Sequence, residues 1–139
     1  MGLIILSYCT VEDVLKLTKT KPKQFGFKDE NAEEEFNQLI NEWILQSESH
    51  INAYCRRNWN DYIDERDNLI KVKVPLAVKN VCIRLTANII AFSFARRDNP
   101  LKKVDDWTTG VISSEIFTED LKQDLKPFRK PRKTNVFKI

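Results

Sequence analysis

Apolar residues recur every three or four positions between Phe36 and Cys55, which is the spacing of one face of an α-helix. The stripe consists of Phe36, Leu39, Ile40, Trp43, Ile44, Ser47, Ile51, Tyr54 and Cys55. Asp29 or Asn31 can cap the start of this helix, and the acidic residues at 29–35 lie on its first turns, where the helix dipole favours negative charge. The pattern predicts one long amphipathic helix.

A second helix is predicted from Leu76 to Ala95, and it is apolar on most of its sides. Pro75 suits the first turn of a helix, and the basic pair Arg96–Arg97 suits the negative end of the helix dipole. The polar positions line up as a single strip of Asn80, Arg84 and Asn88. A helix that is apolar nearly all round needs partners on several sides, so other helices or another subunit should surround it.

Two shorter helices complete the predicted set. Thr10 is a typical N-cap residue, and the helix after it should end near residues 18–21, before Pro22. Thr118 caps a last helix that spans Glu119–Lys126. Short extended segments are expected at residues 69–74, 111–112 and 116–117. The predicted fold class is therefore mainly α, a small bundle of about four helices with short extended segments.

The charge of the chain is unevenly distributed. The 139 residues include 23 Lys and Arg and 20 Asp and Glu, which gives a net charge of +3. Six of the basic residues lie in residues 126–139, which contain no acid, so residues 1–125 carry a net charge of −3. Pro127 and Pro131 interrupt any helix in this tail. We therefore expect a helical domain at 1–125 and an extended basic C-terminal arm at 126–139.

Three interpretations of the basic arm are open. Lys and Arg neutralise nucleic-acid phosphates, dock against acidic protein surfaces, or simply keep a disordered tail in solution. Phe128 and Phe137 favour docking on a protein, because an aromatic ring gains most when it fills a pocket of a partner.

Catalytic and metal-binding patterns do not occur in the sequence. The three glycines form no phosphate-binding loop, and Cys9, Cys55 and Cys82 are too widely spaced for a zinc motif with the single His50. We therefore expect reduced structural cysteines, no enzymatic activity, no cofactor and no metal. The sequence shows neither a secretory signal nor a hydrophobic run of about 18 residues, so we expect a cytosolic protein without a membrane segment.

Six short segments follow one another in a distinctive order along residues 8–130. They are Tyr8–Val14, Ile51–Cys55, Val74–Lys79, Ala95–Asp98, Gly110–Glu115 and Leu125–Lys130. In their order and spacing they resemble the small head–tail connector proteins of tailed bacteriophages and related prophages, which are also called head-completion or adaptor proteins. One departure from the family pattern is that Ile116–Asp120 leads directly into a helix.

The resemblance implies a virion protein, made in the host cytoplasm, that forms a ring of identical subunits below the portal protein. Such a ring extends the DNA channel without sequence-specific binding and provides a docking surface for the stopper or tail-completion protein. The arm is implied to dock on the portal through Lys126, Phe128, Arg129, Lys130, Arg132, Lys133 and Phe137. Ser113, Ser114 and Glu115 are implied to take part in subunit contacts.

Charge placement suggests how such a ring would close. A head-to-tail ring requires two different complementary patches on one subunit. An acidic patch of Glu33, Glu34 and Glu35 and a basic patch of Arg96, Arg97, Lys102 and Lys103 fit this requirement. The alternative function is that of a small helical nucleic-acid-binding protein. It is less favoured because such proteins usually concentrate positive charge on a recognition helix.

Overall fold

The computed structural model describes residues 7–95 and 116–131. In these two ranges it contains helices α1 (Val11–Thr18), α2 (Ala32–Cys55), α3 (Leu76–Ala95) and α4 (Glu119–Leu125). Short 3-10 helices span Pro22–Phe25 and Lys126–Phe128, and a hairpin joins β1 (Tyr62–Ile63) to β2 (Leu69–Ile70). The predicted fold class, a small and mainly helical bundle, is confirmed.

Helix α1 begins and ends through local hydrogen bonds that its sequence supplies. The Thr10 hydroxyl accepts from the Asp13 backbone N–H, and the Asp13 carboxylate accepts from the Thr10 N–H, both at 3.1 Å. This reciprocal capping box satisfies two backbone donors at the helix start. The helix ends at Lys19, which adopts the left-handed conformation at φ 55° and donates its N–H to the Leu15 carbonyl.

Helix α2 buries the stripe that its sequence predicts. Phe36, Ile40, Ile44, Ser47, Ile51 and Cys55 are all buried, while Leu39, Trp43 and Tyr54 are partly buried at the edges. Asn31 occupies the N-cap position, although its side chain makes no capping hydrogen bond. The sequence pattern missed one buried residue of this helix, Glu48, because an ionisable side chain is seldom buried without a partner.

Helix α3 packs against α1, α2 and α4, which accounts for its apolar surface. By length and composition Leu76–Phe94 would also be able to cross a membrane, a criterion that core helices of soluble proteins meet as well. Two residues of the polar strip predicted on α3 contact α4 and the bend before it. Arg84 forms an ion pair with Asp124 at 2.7 Å, and Asn88 donates to the Ile116 carbonyl at 2.8 Å. Helix α3 is thus the central packing helix.

Two expectations for extended structure require correction. Ile116 and Phe117 form a bend with both side chains buried, rather than a strand, because they pack into the core just before α4. In the segment 69–74, only Leu69–Ile70 forms a strand, paired antiparallel with β1 so that Tyr62 faces Ile70 and Ile63 faces Leu69. The expected extended segment at 111–112 lies outside the described residues.

Candidate interaction surfaces

The first part of the basic tail folds back onto the C-terminal end of α2. The Arg129 Nε donates to the Tyr54 carbonyl and the Lys130 N–H donates to the Cys55 carbonyl, each at 2.9 Å. The Arg56 guanidinium in turn donates to the Lys130 carbonyl at 2.9 Å. The last carbonyls of a helix have no partner within the helix and favour nearby cations, so this docking satisfies them.

The Trp59 ring connects this docked segment to the N-terminal part of the chain. It contacts Phe128 at a centroid distance of 6.3 Å and meets Tyr8 edge-on at 6.0 Å. The Arg57 guanidinium lies over the same ring at 4.8 Å. The Trp59 backbone N–H also donates to the Tyr8 hydroxyl, which itself donates to Asn52 at 2.6 Å. One buried indole thus fixes both termini of the described domain.

The boundary expected at residue 125 therefore requires correction. Lys126–Phe128 form a 3-10 helix, and the contacts of Phe128, Arg129 and Lys130 belong to the helical domain rather than to an extended arm. Pro127 is compatible with this turn because the first N–H groups of a 3-10 helix have no hydrogen-bond partner within the helix, so the N–H that proline lacks is not needed. The other predicted docking residues, Arg132, Lys133 and Phe137, lie outside the part of the chain that the structure describes.

This docking can be tested with two truncations. A chain that ends at Pro131 keeps the Phe128 and Lys130 contacts, whereas a chain that ends at Leu125 loses them. We expect the shorter chain to be less stable than the longer one by about 2–4 kcal/mol, from partial burial of the Phe128 ring and three hydrogen bonds of at most about 1 kcal/mol each. Urea unfolding followed by circular dichroism measures the difference, and equal midpoints for the two chains would contradict the docking.

The basic end is defined here as Arg56, Arg57, Lys126, Arg129 and Lys130. Besides the contacts above, the Arg129 guanidinium lies 4.5 Å from the centre of the Tyr54 ring. Burial raises the pKa of the Cys55 thiol below this cluster, although Arg57 and Arg129 both act to lower it. Lys126 and Lys130 are exposed and use their backbone groups for structural contacts, so their ammonium groups are available to a partner.

The predicted acidic patch lies at the opposite end of α2, where Glu33, Glu34 and Glu35 are all exposed in the first turn. Glu33 borders a cleft that is also lined by Lys21, Lys23, Lys28, Asp29 and Glu30, so the charges around it are mixed. We therefore define the acidic start as Glu34 and Glu35. The predicted basic counterpart at Arg96, Arg97, Lys102 and Lys103 lies beyond the described ranges, as do Ser113, Ser114 and Glu115.

The β-hairpin exposes an apolar surface that the sequence analysis did not identify. Ile63 and Leu69 are cross-strand partners and therefore share one face of the hairpin, and they are 56% and 51% exposed. The turn is rigid because the Asp64 carboxylate accepts from the N–H groups of Arg66 and Asn68, at 2.8 and 2.9 Å. A two-stranded hairpin is only marginally stable alone, and clustered exposed apolar residues are typical of protein contact sites.

Glu48 fixes the N-terminal segment from inside the core. Its carboxylate accepts from the Tyr8 N–H at 2.8 Å, and only 7% of the residue is exposed. Burial raises the pKa of Glu48, although the hydrogen bond from Tyr8 opposes this effect. In the sequence, Glu48 directly follows Ser47 of the α2 stripe, which is the one hint that its carboxylate is buried. Its hydrogen-bond partner Tyr8 lies 40 residues earlier, so the sequence pattern does not reveal the pairing.

The raised pKa of Glu48 predicts how stability depends on pH. Below the ordinary pKa of a glutamate both the folded and unfolded states are protonated. As pH rises through the raised folded pKa, the unfolded state ionises more readily and stability is lost. Glu48→Gln keeps an acceptor for Tyr8 and cannot ionise, so the variant should gain stability relative to the parent chain as pH rises from 4 to 8. Urea unfolding across this range measures the difference.

The pH experiment has an internal control. Burial lowers the pKa of the half-buried His50, an effect common to both proteins that cancels in their difference. Glu42→Gln, at an exposed site of the same helix, controls for loss of a carboxylate. A constant difference between the Glu48→Gln variant and the parent chain from pH 4 to 8 would contradict the raised pKa.

Among the described residues, no group of three or more His, Cys, Asp and Glu side chains is arranged to hold a metal ion. The structure instead forms three separate surface features, which are the basic end, the acidic start and the apolar hairpin face of Ile63 and Leu69. Comparison of the chain with protein-family models, curated proteins and solved structures finds no match.

Proposed function

We propose that the protein is a structural head–tail connector of a tailed phage or prophage, which forms a ring below the portal, extends the DNA channel and docks the stopper or tail. The observation that carries the proposal is the placement of opposite charges at the two ends of α2. This helix has 24 residues and is therefore about 36 Å long. The acidic start of one copy would meet the basic end of the next, as a head-to-tail ring requires.

Exposed ion pairs alone contribute little, typically less than about 1 kcal/mol each, so a ring contact also needs apolar area. The hairpin face of Ile63 and Leu69 supports the proposal because it offers such area on the described surface. We place the neighbouring copy of the chain on this face. Charge would then set the orientation of the two copies, and the apolar pair would contribute the hydrophobic stabilisation.

If the hairpin face contacts a neighbouring copy, substitutions on it should weaken ring assembly without unfolding the subunit. Replacing both Ile63 and Leu69 with Ser should change the melting temperature of the subunit by no more than about 4 °C, since each exposed substitution rarely exceeds about 0.5 kcal/mol. Ring formation should fall at least tenfold in apparent affinity. Native mass spectrometry measures the oligomer, and Leu45→Ser, at an exposed leucine of α2, is the matched control. Unchanged rings in the double variant would contradict the contact.

The portal contact is proposed to involve the tail beyond the docked segment. Arg129 and Lys130 attach the start of the arm to the end of α2, and Phe128 contacts Trp59. Arg132, Lys133 and Phe137 are therefore the residues proposed to reach the portal. The chain that ends at Pro131 should then keep its fold and fail to co-sediment with portal rings. Undiminished co-sedimentation of that truncated chain would refute this role of the arm.

A second candidate function, binding of nucleic acid, is favoured by one observation. The basic end groups five basic residues, among them the exposed Lys126 and Lys130, and clustered cations of this kind neutralise nucleic-acid phosphates. DNA binding that weakens steeply with salt would support this function. A connector should instead show weak binding that is insensitive to sequence, because DNA only passes through its channel.

A further inference from the structure

Two cysteines that are far apart in sequence meet in the core. The Sγ atoms of Cys9 and Cys82 are 3.5 Å apart, although the residues are separated by 73 positions. Cys9 lies in the segment before α1, and Cys82 lies within α3, where both side chains are buried. The sequence predicts reduced structural cysteines, and the fold brings two of them into contact.

The position of Cys9 is fixed on both sides. The preceding Tyr8 donates its N–H to Glu48, and the following Thr10 begins the capping box of α1. Cys82 is fixed within α3, and Thr86 one turn later donates to its carbonyl at 2.8 Å. The two sulfur atoms are therefore held in register, and a disulfide bond of about 2.05 Å requires them to approach by only roughly 1.5 Å.

We propose that Cys9 and Cys82 form a reversible disulfide that fastens the N-terminal segment to α3. The reaction is exchange with a small-molecule disulfide, such as oxidised glutathione. The Cys9 thiolate attacks one sulfur of that disulfide, forms a mixed disulfide and releases the first small thiolate. The Cys82 thiolate then attacks Cys9 Sγ and releases the second. Two protein thiols are oxidised, the small disulfide is reduced to two thiols, and the two protein protons pass to the leaving groups.

The surroundings set the order and the rate of these steps. Cys9 is the first nucleophile because it lies in the short segment before α1, whereas Cys82 lies inside α3. The contact with Cys9, together with burial, raises the pKa of the Cys82 thiol. Because Cys9 is buried as well, attack requires the segment 7–10 to leave the core transiently. Exchange should therefore be slow in the folded protein and faster in mild denaturant. The disulfide needs neither a second copy nor a portal, so it is independent of the proposed function.

The test uses the full chain, incubated with oxidised glutathione in the presence and absence of low urea, then denatured and labelled with a maleimide. The reduced chain has three cysteines and takes three labels. The oxidised chain should take one label, on Cys55, and lose 2 Da relative to the reduced chain before labelling. Peptide mapping should show a Cys9–Cys82 link. The melting temperature should rise by about 5 °C or more, as expected when a crosslink closes a long loop.

The matched variants separate the possible outcomes. Cys55→Ser should still form the disulfide, and Cys9→Ala and Cys82→Ala should not. If one of these alanine variants fails to fold, the peptide map of the parent chain decides the question by itself. Three labels after oxidation in urea that populates the open segment would overturn the proposal, as would a crosslink through Cys55 or glutathione retained on Cys9.

Discussion

Replacing Trp59 with Ala should destabilise the subunit by about 3–5 kcal/mol, which is the usual cost of removing a large buried aromatic side chain. Trp59 is 4% exposed and contacts both Tyr8 and Phe128, so its loss opens a cavity between the two ends of the domain. The melting temperature should fall by on the order of 10 °C. Thermal unfolding followed by circular dichroism measures this change.

A second readout distinguishes the role of Trp59 as a link from general loss of stability. Within the docked segment trypsin cleaves after Arg129, since Lys126 and Lys130 are each followed by proline, and release of that segment should expose this bond before the rest of the domain is cleaved. Tyr62→Ala removes an exposed aromatic ring of the hairpin and is the control, with an expected change within about 0.5 kcal/mol. Equal stability of the two variants would contradict the linking role.

Reversing the charge at either end of α2 should prevent ring assembly at low salt, and reversing both ends should restore it. One variant carries Glu34→Lys with Glu35→Lys, and the other carries Lys126→Glu with Lys130→Glu. Each single-end variant brings like charges together at every contact of the ring. The combined variant restores opposite charges with the polarity exchanged. Native mass spectrometry of the four proteins measures the oligomers.

Two controls accompany the charge reversal. Glu33→Lys and Glu34→Lys each change the charge by the same amount, and Glu33 borders a cleft of mixed charge on its own chain, so Glu33→Lys should weaken the ring less than Glu34→Lys. Melting temperatures should decrease by a few degrees for changes in the first turn of α2, since lysine opposes the helix dipole. The same oligomer mass for all four proteins would contradict a contact between the two ends. The effect should also diminish above about 0.15 M salt, where screening shortens the range of the charges.

Local patterns in the sequence predict the helices of this fold well. The period of the Phe36–Cys55 stripe identifies α2 and its buried face, and the capping residues Thr10 and Thr118 mark the starts of α1 and α4. The apolar circumference of Leu76–Ala95 correctly indicates several packing partners. Each of these features depends on residues within a few turns of one another, which is why periodicity and capping rules detect them.

The interaction surfaces depend on contacts that no local rule detects. Lys130 donates to one carbonyl of α2 and Arg129 donates to another, about 75 residues earlier in the sequence. Because sequence patterns do not detect contacts over such distances, the start of the tail was predicted to be an extended basic arm. The burial of Glu48 depends on an N–H that lies 40 residues earlier. The position of Glu33, Glu34 and Glu35 in the first turn of α2 was predicted correctly because the helix dipole favours negative charge there without tertiary contacts. The apolar hairpin face was not predicted, because strands of two residues are too short to show an alternating pattern.

The central claim is that the protein forms a connector ring on a portal. The most direct test is to co-express the full chain with the portal protein of the same phage or prophage and to image the purified complex by electron cryomicroscopy. The proposed function predicts a second ring of this chain, stacked on the portal and coaxial with its channel. Portal rings without added density, at low and physiological salt alike, would contradict it.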